Sequence, residues 1–418
     1  MNYFRLLRSE GPLLWFGLIS ALSTSVGQSF FIALSIPSFL QAFEMGDARF
    51  GAIYSAATLG GAVLLPVSGA WIDRISLPKY TAAVTLGLAL SAFLIAWSPH
   101  LALLTVGLVG VRMLGKGLMA HVSQTAMARE FGANRGKALG FASLGYPLGE
   151  AFLPALFAYL LVVVSWRVAW LMVAGVFLFV VLPGLLLLLR TARGAAPTSP
   201  EQTEEPQPQF QRRWIWRDWR LYGAMPAVLA MPFVQTGLFL YQLPLAESKG
   251  WSATLIATAF TAYAVSRAVA SVVVGPLIDR YRAGRLLPLY LLPNALGMMI
   301  LFWSDAAWIA PVYLVLVGMT SGCSSSVKSA VWAEYYGPQH VGTVRSAISA
   351  MAVMSTGVTP ALAGYFLEQG VSIPSMLLVG ICVLVSASLL AIPASPWVDH
   401  ERAFARIRGW GLPGIPRA

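Results

Sequence analysis

The sequence predicts an all-α membrane protein in which twelve transmembrane helices form two pseudo-symmetric six-helix bundles. Composition is the first reason. Of the 418 residues, 57% are hydrophobic and 11% are charged, whereas soluble domains carry roughly 25% charged residues. A chain of this composition cannot hide its apolar surface by folding in water. An internal repeat and the distribution of positive charge are the other two reasons.

Long apolar stretches recur along the chain, and each can cross a hydrocarbon core of ~30 Å as a helix. The first stretch is too long for the apolar part of a signal peptide and continues without a cleavage site, so it is interpreted as the first span. The twelve predicted spans are residues 13-40, 50-72, 79-98, 101-128, 138-164, 167-190, 219-246, 251-278, 286-304, 308-334, 342-368 and 373-393.

Positive charge is distributed asymmetrically between the predicted loops. If the N-terminus is inside, the tails and alternate loops on that side hold 21 of the 28 Lys and Arg residues. The opposite side holds only Arg49, Arg167 and Lys249. This excess predicts that both termini are cytoplasmic, in a membrane that we expect to be a bacterial inner membrane. The same asymmetry explains the net charge of +11 without nucleic acid as a partner.

One internal segment has a composition unlike that of a membrane span. Residues 191-213 are rich in Pro, Gln and Glu, which predicts a flexible cytoplasmic linker. The linker divides the chain into two sets of six spans, and a basic segment follows the last span. The predicted units are a first bundle (1-190), a linker (191-218), a second bundle (219-393) and a cytoplasmic tail (394-418).

The two halves contain related motifs at a constant spacing. GAWIDR at 69-74 recurs as GPLIDR at 275-280, and LPALFAYLL at 153-161 recurs as TPALAGYFL at 359-367. Both pairs are separated by 206 residues. A constant offset over two distant motifs indicates duplicated six-helix bundles, with a substrate site between them near the bilayer midplane.

These loop motifs resemble those of the major facilitator superfamily, and the resemblance extends over all twelve spans. It implies the major facilitator fold and transport by alternating access. Within the superfamily, AMAREF, NRG and GYPLGEAFLP are similar to the oxalate/formate exchanger and monocarboxylate porter branch. The residues that match superfamily motifs are Asp73 and Arg74, Asp279 and Arg280, Arg112 with Gly115 and Gly117, and Gly140, Gly145, Pro147 and Gly149.

The repeated loop motif also has a physical interpretation as a conformational latch. Gly69 and Gly275 permit close helix contact. The Asp-Arg pairs that follow them, at 73-74 and 279-280, can hydrogen-bond a neighbouring helix terminus and hold one conformation. The alternative is that these pairs are solvated charges that set topology.

Residues 110-116 spell GxxxxGK, the pattern of a phosphate-binding loop. That loop needs Ser or Thr after the Lys, and it joins a strand to a helix. Gly117 follows Lys116 here, within a predicted spanning helix. The nucleotide-binding interpretation is therefore set aside in favour of cations within the membrane.

Four cations lie within predicted spans: Arg112, Lys116, Arg267 and Lys328. A charge at a helix centre costs about 2.5 to 3.5 kcal/mol on insertion scales, so it needs a partner or a water-filled cavity. Glu150 is the only carboxylate deep in a span. The excess of positive charge predicts an anionic substrate.

Arg267 is the first candidate for binding that substrate, because its planar fork matches a carboxylate. Arg112 and Lys116, four residues apart on one helix face, lie opposite in the first bundle. The eighth-helix Arg of the monocarboxylate and oxalate branch is similarly assigned to substrate binding, and Arg267 matches that position.

This chain departs from that branch at Tyr263, where the porters carry Asp. It also lacks the exchanger's Lys on the eleventh helix, where Arg345 lies near the cytoplasmic start. The alternative role for Arg267 is a structural one on backbone carbonyls.

Proton coupling is assigned to Glu150 and His121. Glu150 takes a proton when substrate displaces its cation partner, and His121, whose ordinary pKa is near 6.5, relays it. The alternatives are a permanent ion pair of Glu150 with Arg112 or Lys116, and a helix-helix hydrogen bond for His121. Further candidates for the cavity lining, which can equally hold helices together, are Gln28, Gln235, Tyr54, Tyr146 and Tyr263.

The function that these features predict is secondary transport of a small organic anion, most simply a monocarboxylate, by proton symport. No HExxH, GxSxG or CxxC motif supports an enzyme, and no cofactor or metal is expected. The expected partners are the anion, protons and membrane lipids, with the protein as a monomer. The alternatives are a proton-coupled exporter of drugs or amphipathic metabolites and a transport-dead membrane sensor.

Overall fold

The computed structural model describes residues 3–131, 135–192, 218–336 and 341–395, and in these ranges the regular structure is entirely helical. Most of the predicted linker and nearly all of the predicted tail lie outside the described residues, so both remain predictions. The side chains of Asp73 and Arg345 also lie outside the description.

The first half consists of eleven α-helices, with two 3-10 turns and two π-helical segments. The 3-10 turns are Thr24–Gly27 and Trp71–Asp73, and the π-helical segments are Val111–Met119 and Phe177–Val181. The α-helices are α1 (Tyr3–Ser23), α2 (Ser29–Ala33), α3 (Ile36–Ala42), α4 (Asp47–Ala70), α5 (Leu77–Ala96), α6 (Leu101–Gly110), α7 (Ala120–Glu130), α8 (Arg135–Ser143), α9 (Gly145–Val163), α10 (Trp166–Val176) and α11 (Leu182–Ala192).

The second half is made of longer, less interrupted helices. These helices are α12 (Trp219–Leu240), α13 (Gln242–Ser248), α14 (Ala253–Tyr281), α15 (Ala283–Leu286), α16 (Leu292–Trp303), α17 (Ile309–Tyr336), α18 (Val341–Glu368) and α19 (Ile373–Ala391).

The predicted spans coincide with these helices. Within the described ranges, nine helical stretches are long and apolar enough to cross a membrane, and Leu292–Trp303 is a shorter apolar helix. The first and eleventh predicted spans correspond to α1–α3 and α18. Large apolar side chains such as Val162, Phe179 and Val272 are more than 70% exposed, as expected of surfaces that face lipid rather than water. The chain is therefore an integral multi-pass membrane protein.

The first span is not the continuous helix that the sequence predicted. It is interrupted at Thr24–Gly27, and Gln28 has extended backbone angles (φ −85°, ψ 153°). The broken turn is buried, and irregular backbone at membrane depth is tolerated where protein groups satisfy it. A break here therefore requires a donor from a neighbouring helix.

The fourth predicted span supplies that neighbour. Its middle is the π-helical segment Val111–Met119, which packs against Thr24–Gly27. The approach is so close that a Cβ on Gly27 would clash with the backbone of Val111 and Lys116. π-helical turns are rare and often occur at functional sites.

The two halves meet mainly through two helix pairs, α4 with α18 and α9 with α14. At the predicted extracellular end, the Ala361 N–H donates to Ser55 Oγ (2.9 Å) and Gln242 Nε2 donates to the Phe30 carbonyl (2.9 Å). Gly51 lies directly against the Pro360 carbonyl, where a Cβ would not fit. The structure is thus a conformation whose halves are joined at that end.

Candidate substrate-binding site

Arg112 is buried, and protein groups hold its guanidinium. Nη1 donates to the Gly27 carbonyl (2.9 Å), and Nε donates to Thr58 Oγ1 (3.2 Å). The guanidinium carbon also lies 4.9 Å from the centre of the Tyr54 ring. Arg112 therefore donates to a carbonyl that has no helical hydrogen bond because the first helix is broken. None of these three contacts is with a carboxylate, so none of them neutralises the charge of Arg112.

Lys116 follows one turn later and lines a cavity of about 160 Å³ between the two halves. Within the described part of the chain its ammonium group has no hydrogen bond or ion pair. We call this space the cation-lined cavity. Its walls come from α4 and the π-helical segment on one side and α18 on the other: Thr58, Gly61, Ala62, Leu65, Arg112, Met113, Lys116, Gly117, Val353 and Thr356.

Glu150 on α9 forms an ion pair with Arg267 on α14. The alternative that paired Glu150 with Arg112 or Lys116 is therefore wrong: packing brings α9 beside α14, in the other half. Only 4% of Glu150 is exposed, and its second oxygen, Oε2, is buried with no hydrogen-bond partner among the residues that the structure describes. Arg267 does not line the cation-lined cavity. The sequence had predicted that Arg267 and Lys116 would face the same substrate carboxylate, but in the structure they lie at separate sites.

A polar network surrounds Arg267 in the second half. Gln235 Nε2 donates to the Tyr263 hydroxyl (2.9 Å) and to Ser321 Oγ (3.0 Å). Tyr263 also interacts electrostatically with Glu150 and Arg267. The predicted polar residues Gln235 and Tyr263 thus lie together, but Tyr263 is only 2% exposed and serves here to support the ion pair.

The other predicted lining residues are found elsewhere. Tyr54 is completely buried and its hydroxyl donates to Ser29 Oγ (3.0 Å). Gln28 lies at the break of the first helix and does not line the cation-lined cavity. Tyr146 accepts from Gln124 Nε2 (3.2 Å). His121 lies near Gly69, with Nδ1 3.5 Å from Thr125 Oγ1, so these contacts place the imidazole near the C-terminal end of α4.

The predicted latch residues lie at the ends of the second and eighth spans that the charge distribution predicts to be cytoplasmic. Gly69 is buried, Gly275 is half-buried, and Arg74, Asp279 and Arg280 are exposed. Arg280 stacks on its neighbour, the Tyr281 ring, at 5.3 Å. Among the described side chains, those of Arg74, Asp279 and Arg280 make none of the hydrogen bonds recorded at these loops, and the side chain of Asp73 lies outside the described residues.

Two residues that sequence reasoning did not assign to the latch make hydrogen bonds at these loops. Arg129, at the end of α7, donates to the Ile72 carbonyl (3.2 Å). Glu334, near the end of α17, accepts from the Ala283 and Gly284 N–H groups (2.7 and 2.9 Å). Each joins the fourth helix of its half to the loop after the second. The AMAREF and WAEYY segments carried the signal, since both place a charge at the end of a spanning helix.

Comparison with known proteins agrees with this architecture. The sequence model described as Major Facilitator Superfamily matches residues 16–255 and again 236–406. No curated protein matches the chain in sequence.

Two solved structures share the fold. The first is a bacterial homolog to the human lysosomal transporter Spinster in an inward-facing and occupied conformation. The second is a bacterial homolog to the same human transporter in an inward-facing and unoccupied conformation. Against the first the TM-score is 0.66 at 14% identity, covering 97% of this chain and 98% of that chain. Against the second the TM-score is 0.60 at 14% identity, covering 94% and 96%. At this identity the likeness shows the fold alone.

Proposed function

The chain belongs to the major facilitator superfamily, a family of secondary transporters, and on that premise we propose that it moves a small organic anion, most simply a monocarboxylate, together with protons. The cargo binds between the halves, and alternating access carries it across the membrane. The location we propose is a bacterial inner membrane, with both termini in the cytoplasm.

One observation supports an anionic cargo above the others. Lys116 lines the cation-lined cavity without a partner among the described residues, and Arg112 adds a second positive charge to the same wall. An uncompensated cation at membrane depth is costly, whereas a bound carboxylate would neutralise it. The cavity is also lined by both halves, so a bound anion would contact both and bias their relative position.

Glu150 supports coupling to protons. Its paired oxygen faces Arg267, and Oε2 is buried without a partner in the described ranges of the chain. If an anion approaches Arg267, the carboxylate of Glu150 is left beside a second negative charge in a dry site, which favours its protonation. In this scheme Arg267 can take an anion only while Glu150 is protonated, at a second position apart from the cation-lined cavity. His121 stays a predicted relay toward the cytoplasm.

We also propose that the protein belongs to the oxalate/formate exchanger and monocarboxylate porter branch of the superfamily. This assignment is supported by the eighth-span Arg267, which has the polar surroundings expected of a substrate-linked residue. The monocarboxylate porters carry an Asp at the position of Tyr263, so this chain must use another residue for proton coupling. We assign proton coupling to Glu150 on the fifth span.

Uptake by purified protein in liposomes tests the proposal. We expect accumulation of short radiolabelled monocarboxylates that increases with an inward proton gradient, and a loss of at least about tenfold in K116Q because the unpaired cation is removed. K79Q is the matched control, since Lys79 is an exposed cation at the start of α5. If K116Q and K79Q transport equally, Lys116 does not bind the cargo.

The exporter alternative predicts a different result from the same vesicles. Accumulation of cationic dyes driven by the proton gradient, with no uptake of any carboxylate, would replace anion transport with export. Binding of a carboxylate without any counterflow would instead indicate the sensor.

A further inference from the structure

The 206-residue repeat relates the two charged regions at the interface. In the register set by the paired loop motifs, Arg267 of the second half corresponds to Gly61 of the first, and Glu150 corresponds to Thr356. Gly61 and Thr356 both line the cation-lined cavity. This cavity is therefore the pseudo-symmetric counterpart of the place where Glu150 meets Arg267.

The same register holds for the cations of the first half. Arg112 and Lys116 correspond to Gly318 and Gly322 on α17. A Cβ on Gly318 would clash with α14 at Ser266, and one on Gly322 would lie 2.8 Å from Ala270 Cβ. Because long side chains do not fit there, the second half presents its cation from α14 instead. Each half thus brings positive charge to the interface, but from a different span.

The two related places differ in whether the protein supplies an anion. In one, the Glu150 carboxylate neutralises Arg267. In the other, the residue at the position of Glu150 is Thr356, whose hydroxyl donates to the Val353 carbonyl (2.8 Å) and carries no charge. Lys116 therefore lacks the carboxylate that pseudo-symmetry would put beside it, and a cavity occupies that space.

The size of the cavity limits the ligand. Its volume of about 160 Å³ is close to that of a ~150 Å³ cavity that holds benzene, a ligand of about six non-hydrogen atoms. Apolar side chains from Leu65, Met113 and Val353 form much of the remaining wall. The space suits one carboxylate and a short carbon chain.

We infer that the substrate carboxylate binds Lys116 in the cation-lined cavity, in the place that corresponds by pseudo-symmetry to that of the Glu150 carboxylate, and that the substrate is a monocarboxylate of about six non-hydrogen atoms. This inference rests on the proposed function and adds the binding position and the size class. At this binding position Thr356 and Gly61 determine which substrates fit, because these two small residues leave the space that the ligand fills.

Replacement of Thr356 by Glu tests the inferred binding position of the substrate carboxylate. The variant T356E places a carboxylate of the protein at the point where the substrate carboxylate is inferred to bind. An intramolecular carboxylate acts at an effective concentration of millimolar or more, so uptake of pyruvate should fall about tenfold or more. T356Q fills the same space without a charge and is therefore the control for bulk, so the loss of uptake in T356E should exceed the loss in T356Q by about tenfold. T356D, one methylene shorter, is the second variant if T356E is not recovered as folded protein.

Thermal unfolding provides a readout that does not depend on transport. T356E should raise the melting temperature in the natural background, where Lys116 pairs with the new carboxylate, and lower it in K116Q, where that carboxylate has no partner. Equal shifts in both backgrounds, or undiminished pyruvate uptake by T356E, would overturn the inference. If the stability coupling is present but the unsubstituted protein takes up no carboxylate, the site stands and the proposed transport function fails.

The size class is tested separately with a panel of acids. Pyruvate and other acids of about six non-hydrogen atoms should compete for uptake, whereas hexanoate and citrate should not, because the cavity has no room for them. Equal competition by citrate would overturn the size limit.

Discussion

Glu150 and Arg267 form an ion pair to which we assign both a contribution to stability and the proposed coupling to protons. The carboxylate is almost fully buried, and the side chain of Arg267 is 29% exposed. Breaking a fully buried pair by removing one partner costs about 3–5 kcal/mol, because the remaining charge is stranded. Partial exposure of Arg267 lowers that cost through solvent screening.

The substitution E150Q tests this residue. We expect the free energy of unfolding to fall by about 1–3 kcal/mol, less than for a fully buried pair, and uptake to lose its dependence on the proton gradient. Chemical denaturation and uptake at several external pH values measure the two effects. E130Q is the control, because Glu130 is exposed at the end of α7. Unchanged gradient dependence in E150Q would assign proton coupling to another group.

Arg112 shows that a cation in a span need not bind cargo. Its fork reaches the Gly27 carbonyl and the Thr58 hydroxyl together, so its first task is to satisfy the backbone of the broken helix. Lys116 has a single flexible ammonium group and no such partners among the described residues, so it is the better candidate for binding an exchangeable anion.

At the scale of elements, the contact between α4 and α18 decides how tightly the halves close. Gly51 and Gly364 lie against backbone carbonyls of the opposite helix, and Tyr241 approaches both. Small residues at such a crossing allow backbones to approach closely. Opening of the predicted extracellular end must separate these surfaces.

The substitution G51A should therefore oppose closure. A Cβ at this position would clash with the Pro360 carbonyl, so α4 and α18 must move apart. We expect slower uptake and faster labelling of S55C by an impermeant maleimide, in a background without Cys323 and Cys382. G60A is the matched control, because a Cβ there meets nothing within 4 Å and alanine favours a helix by about 1 kcal/mol. Equal labelling in both variants would contradict the role of Gly51.

At the scale of the whole molecule, the distribution of charge predicts the orientation in the membrane. The excess of Lys and Arg lies on one side of the predicted spans, and such residues are retained in the cytoplasm. The acidic linker with its flanking arginines and the basic tail would then share a compartment.

Reporter fusions test this orientation. Alkaline phosphatase should be inactive when fused after Ala418 and active when fused after His100, in the loop between the third and fourth predicted spans, whereas a fluorescent protein should show the opposite pattern. Active phosphatase at both positions would contradict cytoplasmic termini.

Much of this fold follows directly from the sequence. The bilayer acts on each span separately, so the spans and the duplicated halves can be recognised in the linear sequence, whereas the orientation read from charge stays a prediction. For the same reason Arg112, Lys116, Arg267 and Glu150 stand out, since each is expensive at membrane depth.

The partners of those charges depend on tertiary structure. Whether Glu150 meets Arg267 or Lys116 is decided by α9 packing beside α14, a contact between residues 117 positions apart in the chain. The break at Gly27, the π-helical segment and the cavity between α4 and α18 likewise arise where two distant helices touch. Sequence alone determined which charges enter the membrane, because the bilayer sets that cost; only packing between distant helices decided which charges are neutralised and where a space for an anion is left.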